Sequence, residues 1–156
     1  MVELDESCFI RRKHSVSDTP DTQWVFGGID SQTKQGFLVA VPRRDAETLL
    51  PVIQRFIEPH TTIVSEQWAA YNSVGGDLGY KHLSVNYGYK FVDPVTHATT
   101  NDVKTMWWGA RERNKKENGT ARQKLDSYLM EFMWRQQFND DPFQNLLSHI
   151  REVYPV

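Results

Sequence analysis

The chain has 156 residues, a formal net charge of -2 and a pI near 6.2; 39% of its residues are hydrophobic and 12% aromatic. That length suits one domain with a proper core rather than two, the aromatic content excludes intrinsic disorder, and the near-neutral charge excludes nucleic-acid binding by bulk electrostatics, so any basic surface must be local. A single cysteine, Cys8, excludes an internal disulfide and a cysteine-rich zinc site and favours a reducing compartment; no stretch approaches the roughly 20 apolar residues of a membrane span, so no membrane partner is expected.

Residues 2–9 alternate as a strand, and Arg11-Arg12-Lys13-His14 with the Ser/Asp/Pro-rich run to Asp21 reads as an exposed loop. Residues 23–30 and 36–41 are strands whose connection, 31–35, is short enough for a hairpin, so three antiparallel strands open the domain. Asp45 caps a helix running to about Ile57, where Leu49, Val52, Ile53 and Phe56 recur at helical spacing before Pro59. A short strand at 61–64, a short helix at 66–73 and a fifth strand at 81–85 follow, and this alternation implies crossovers and a partly parallel sheet.

The next helix opens at Asn101, its cap, with Asp102 placed to complement the helix dipole. Val103, Met106, Trp107 and Ala110 form its apolar stripe, which leaves Lys104, Trp108, Arg111 and Lys115 together on an adjoining basic face. Gly119 ends it. Leu125, Tyr128, Leu129 and Phe132 mark a further helix, and Phe143, Leu146, Leu147, Ile150 and Tyr154 a last one.

Two surfaces stand out. Arg11, Arg12, Lys13, Arg111, Arg113, Lys115 and Trp108, with Arg43, Arg44, Lys116, Arg122 and Lys124 beside them in the basic set, either track a phosphate backbone with little sequence selectivity or are ordinary solvated charges. Met130, Met133, Trp134 and Phe138 exceed what one helical stripe can bury. With the apolar run from Phe143 to Tyr154 they form either a two-sided core or a surface for a protein partner or a second copy. The lone His82 and His97 read as structural residues.

Several motifs in order, Leu4-Asp5-Glu6-Ser7, Trp24-Val25-Phe26-Gly27-Gly28, Thr48-Leu49-Leu50, Ser65-Glu66-Gln67-Trp68-Ala69-Ala70-Tyr71, Val85-Asn86, Phe91-Val92-Asp93-Pro94 and Glu131-Phe132-Met133-Trp134-Arg135, resemble the Merlin superfamily of DNA transposons and its bacterial insertion-sequence relatives nearly end to end. The resemblance implies an α/β, RNase H-like fold over residues 1–156: a mixed five-stranded sheet with an antiparallel hairpin start, flanking helices and extra C-terminal helices. Trp24, Phe26, Trp68, Tyr71, Phe91, Phe132 and Trp134 are expected in its core.

Such transposases are expected to hold two divalent ions between three acidic groups, which clamp the attacking water and the leaving oxygen. Carried over, those positions fall on Asp5, Glu66 in place of an aspartate, and Lys104 in place of the third carboxylate. An ammonium cannot ligate a metal and adds positive charge where two dications should sit. Thr96-His97-Ala98-Thr99-Thr100 and Val85-Asn86-Tyr87-Gly88 depart from the family pattern nearby.

The expectation is a catalytically inactive, transposase-derived domain in which Lys104 neutralises Asp5 and Glu66. It would need no cofactor and would bind a protein partner, itself as a homodimer, or DNA non-specifically, in the nucleus (or cytoplasm). The alternative is a still-active DDE-type nuclease holding magnesium or manganese at Asp5 and Glu66. The family carries a DNA-recognition segment ahead of the first strand, where this chain begins, so specific recognition of element ends is not expected.

Overall fold

A computed structural model describes residues 1–11 (backbone only for 10 and 11), 22–76, 78–85, 92, 98–116 and 118–155. Strands β1 (Val2–Arg11), β2 (Thr22–Asp30) and β3 (Gly36–Val41) form an antiparallel meander, with Leu4 opposite Gly28 and Gly27 opposite Leu38. Asp30 shapes the β2–β3 turn, its carboxylate accepting from the N–H groups of Gln32 and Thr33 at 2.7 and 3.0 Å. Helix α1 (Ala46–Phe56) is capped by Asp45, whose side chain accepts from Thr48 N at 3.0 Å. It leads to β4 (Thr62–Glu66), which lies parallel to β1, and β5 (Lys81–Val85) lies parallel to β4. The sheet order is β3-β2-β1-β4-β5. Helices α2 (Asn101–Lys116), α3 (Leu125–Gln137) and α4 (Pro142–Val153) complete the domain, the mixed five-stranded sheet with flanking helices that the sequence implies. No helix among the described residues is long and apolar enough to cross a membrane.

Each sheet face has its own core. Leu4, Phe26, Leu49, Ile53, Ile63 and Tyr71 are buried between the sheet and α1, and Val25, Leu38, Val103, Trp107 and Leu129 between the sheet and α2 with α3. Fully burying one Leu or Ile side chain stabilises by roughly 1.5–3 kcal/mol, so these faces hold the layers together. Strand periodicity then decides what β1 offers to each side. Leu4 and Glu6 point toward α1 and Tyr71, whereas Glu3, Asp5, Ser7 and Phe9 point toward α2.

Gly27 lets α2 lie this close: a Cβ there would stand 2.7 Å from Leu38 Cδ2 and 2.9 Å from Trp107 Cζ2. At the sheet's β3 edge, α3 packs across the strand, and the outward Leu38 N–H donates to Met133 Sδ at 3.1 Å.

Three expectations need correction. Asn101 is already helical and does not cap α2; the free N–H groups of Asp102 and Val103 donate instead to Glu3 Oε2, at 2.8 and 3.1 Å. The helix expected at 66–73 is a single 3-10 turn, Ala69–Tyr71, because Glu66 still belongs to β4. Trp68 is 40% exposed, stacked on Arg44 rather than sunk in the core. Phe26 and Tyr71 are fully buried and Trp24, Phe132 and Trp134 half-buried; Phe91 lies outside the described residues.

Candidate functional site

Strands β1 and β4 pair only at Val2–Ile63 and Glu3–Val64. Beyond that point they part, and α2 crosses the opening with Asp5, Glu66 and Lys104 gathered around it. Lys104 Nζ lies 2.8 Å from Glu66 Oε1, the two side chains being 38% and 42% exposed. Asp5 sits deeper and is pushed up to about 7, by burial first, then by the negative charges of Glu66 and Glu6; the Glu6 N–H, donating to Asp5 Oδ1 at 2.9 Å, and the more distant Lys104 ammonium pull the other way. The three positions singled out in the sequence therefore meet in space, with the lysine paired to the glutamate and its charge also felt by Asp5.

Glu6, on the opposite face of β1, accepts a hydrogen bond from the Tyr71 hydroxyl. Burial raises the Glu6 carboxyl, while Tyr71 and the Arg44 charge oppose the rise. Tyr71 itself is raised well above the ordinary phenol value, by burial and then by Glu6. The Arg44 guanidinium lies 4.5 Å from the ring centres of both Trp24 and Trp68, and Trp68 Nε1 donates to the Arg44 carbonyl at 3.2 Å. Sandwiched in this way, Arg44 is fixed in place and its charge is directed toward the acidic pocket.

The cleft beside the acids measures about 650 Å³. Its floor is Asp5, Glu6 and Ser7; its wall is the α2 stripe of Lys104, Trp108, Arg111 and Lys115, with Trp107 and Glu112 between them. Arg111 donates to Ser7 Oγ, which pins one guanidinium across the site, and Trp108 is 67% exposed. Of the sequence-level nucleic-acid candidates, then, Trp108, Arg111 and Lys115 line one cleft.

Arg113 does not join them. It turns to Glu131 at 2.5 Å and over the Tyr128 ring. Arg12 and Lys13 lie outside the described residues, as does the side chain of Arg11. Arg43 pairs with Asp45 at 3.0 Å and Glu47 at 3.5 Å. Among the protein-interaction candidates Met130 is exposed, whereas Met133 packs on both cores, Trp134 Nε1 donates to His149 Nδ1 at 3.1 Å, and Phe138 stacks edge-on with the same imidazole.

The donor set does not suit a pair of dications. Of the three family positions two are carboxylates, one of them held by an ammonium that cannot ligate; Glu6 is turned to Tyr71 and Glu112 pairs with Lys116, and no group of three His, Cys, Asp or Glu among the described residues is placed to hold a metal. His82 does not rebuild the set: its Nε2 is 2.8 Å from Ser65 Oγ, which donates to the Glu66 carbonyl, and burial keeps its pKa low. His97 lies outside the described residues, as do residues 86–91 and 93–97, which hold part of each motif departure.

The sequence reading gave Glu3, Glu6 and Ser7 no role in the site, and it counted Arg44 only among the basic groups that could meet a phosphate backbone. The alternation of β1 contained the signal for Glu3 and Ser7, since both share Asp5's face. Nothing in the sequence joins Arg44 to two tryptophans that are distant from it along the chain.

Residues 5–137 match the sequence model of the ISXO2-like transposase domain. An uncharacterized transposase-like protein of Haemophilus influenzae is 25% identical over 118 residues, 75% of this chain and 91% of that protein. Among solved structures, the catalytic core domain of BIV integrase superposes over 98% of this chain and 97% of its own, with a TM-score of 0.57 at 11% identity. The HTLV-2 integrase catalytic core domain in complex with magnesium covers 86% of this chain and 82% of its own, at 0.53 and 9%. The fold is RNase H-like.

Proposed function

The chain belongs to the ISXO2-like transposase domain family, and from that membership we propose that it is a retired transposase core that holds nucleic-acid backbone along α2 without cutting it. One observation carries the reading: the Lys104–Glu66 ion pair, at 2.8 Å, spans the place where the family's third carboxylate would help hold metal. Two-ion phosphodiester chemistry needs anionic oxygen ligands around both dications, and a tethered ammonium supplies positive charge with no Lewis acidity. The HTLV-2 neighbour is a magnesium complex; this chain has a lysine in the cleft instead.

What the cleft retains is a binding surface. Arg111 and Lys115, one turn apart on α2, suit neighbouring phosphates, and Lys104, two turns before Arg111 and paired to Glu66, adds positive charge to the same face, while the exposed Trp108 indole offers a base a stacking face. Such contacts give affinity and little selectivity. The motif order supports descent from a Merlin-type element, and we place the domain in the nucleus, or the cytoplasm, acting with a protein partner.

Plasmid nicking with magnesium or manganese, run beside titration of a labelled duplex at several salt concentrations, tests this. No nicking is expected, and binding should weaken as salt rises. Lys115→Ala should flatten the salt dependence by about 0.9 in the logarithmic slope. Nicking abolished by Asp5→Ala would establish an active metal-dependent enzyme, and absence of binding even at low salt would remove the nucleic-acid role. Lys104→Glu should create what the natural site lacks: manganese should raise its melting temperature and leave that of the unmodified chain unchanged.

A further inference from the structure

Helix α4 has no buried residue, although one side of it is continuously apolar. Phe143, Leu146, Ile150 and Val153, spaced three or four apart, and Tyr154 just past the helix are between 46% and 72% exposed. The helix is tethered to α3 by a different flank, through His149 against Trp134 and Phe138. Its apolar stripe therefore faces away from the body, and a 12-residue helix left in water on its apolar side is marginal.

We propose that this stripe pairs with the α4 stripe of a second copy, antiparallel about a two-fold axis. Area and charge both favour a copy of the same chain. The five side chains leave on the order of 500 Å² of apolar surface in solvent, so a symmetric pair buries on the order of 1,000 Å², the size a specific interface has to clear. Asp140, just before α4, and Arg151, near its end, are both exposed and stand at opposite ends of the stripe. Glu152 falls on the far side. An antiparallel partner brings its Arg151 to the end where Asp140 stands and its Asp140 to the end where Arg151 stands, and it opposes the two helix dipoles. The surface is thus complementary to itself in that orientation, whereas a parallel pair would bring the two acidic ends to one end and the two Arg151 ends to the other.

Sedimentation of the 156-residue chain tests the pairing. The unmodified chain should dimerise at concentrations on the order of 100 µM, and Ile150→Asp should weaken the dimer about 30-fold or more. Because α4 contributes nothing to either core, the circular dichroism of that variant should keep the body's signature. Asp140→Arg and Arg151→Asp should each weaken self-association several-fold, since each sets like charges opposite one another twice. Mixed one to one, the two variants should recover dimer, with every facing pair again of opposite sign. A chain that stays monomeric at that concentration overturns the proposal and assigns the stripe to a different occupant. A dimer that Ile150→Asp leaves intact, or charge variants that the mixture does not rescue, overturns it equally.

Discussion

Replacing Asp5 by Asn should stabilise the protein at alkaline pH. The folded state holds the Asp5 carboxyl at about 7 against an ordinary value of 3.8, because burial and the neighbouring Glu66 and Glu6 charges disfavour its ionised form. A group raised on folding binds its proton more tightly in the native state. Its penalty is therefore absent below about pH 4, grows as pH rises toward 7 and is complete above that. At about 1.4 kcal/mol per pH unit, the ceiling is about 4 kcal/mol. Side-chain relaxation and water entry reduce it, and about half is a fair expectation at pH 8. The Asn carbonyl can still accept from the Glu6 N–H, so no hydrogen bond is lost.

For a domain of this size each kcal/mol moves the melting temperature by about 2–4 °C, which gives a rise of about 4–8 °C at pH 8 and almost none at pH 4. Thermal melts of the two proteins from pH 4 to 9 measure it. Glu3 and Glu6, raised in the same sense, should leave a smaller residual pH dependence in the variant. A variant that melts lower at pH 8, or a natural chain whose stability ignores pH across this window, would refute the account of Asp5 as a carboxylate that the fold pays to keep.

Further outcomes follow from the scaffold. Glu3→Ala should strand the N–H groups of Asp102 and Val103 at the start of α2 and cost about 2–4 kcal/mol in urea unfolding, with Glu3→Gln losing less because its amide oxygen still accepts. Gly27→Ala forces a methyl into Leu38 and Trp107, and overpacking there should cost about 1–3 kcal/mol, visible as a lower urea midpoint at unchanged slope.

Much of the fold was legible because local signals agreed with one another. The meander, the Asp45 cap, the α2 stripe of Val103, Met106, Trp107 and Ala110, and the three closing helices all follow from periodicity and turn chemistry. The grouping of Asp5, Glu66 and Lys104 was legible only through family resemblance, since no periodicity joins a first-strand carboxylate to the end of β4 and the first turn of α2.

What escaped the sequence is pairwise and long-range. No helical rule places a carboxylate from the first strand at the N-terminus of α2, so Asn101 takes the cap by default until Glu3 is seen there. Burial is similarly hidden for amphipathic side chains. Trp68 reads as core by its size, yet the Arg44 guanidinium gives it a partner at the surface. The Lys104–Glu66 pair is also more exposed than an enclosed charge cluster would be, so breaking it should cost about 1 kcal/mol or less rather than the several of a fully buried pair.

The cover that α3 provides over β3 has a consequence for how the chain can be shortened. A version ending near Gly119 would keep all five strands yet leave the outer backbone of Gly36–Val41 unshielded, with Leu38 stripped of its sulfur acceptor. An open apolar ladder of that kind recruits further strands, so such a fragment should form fibrils or precipitate rather than persist as a smaller soluble unit.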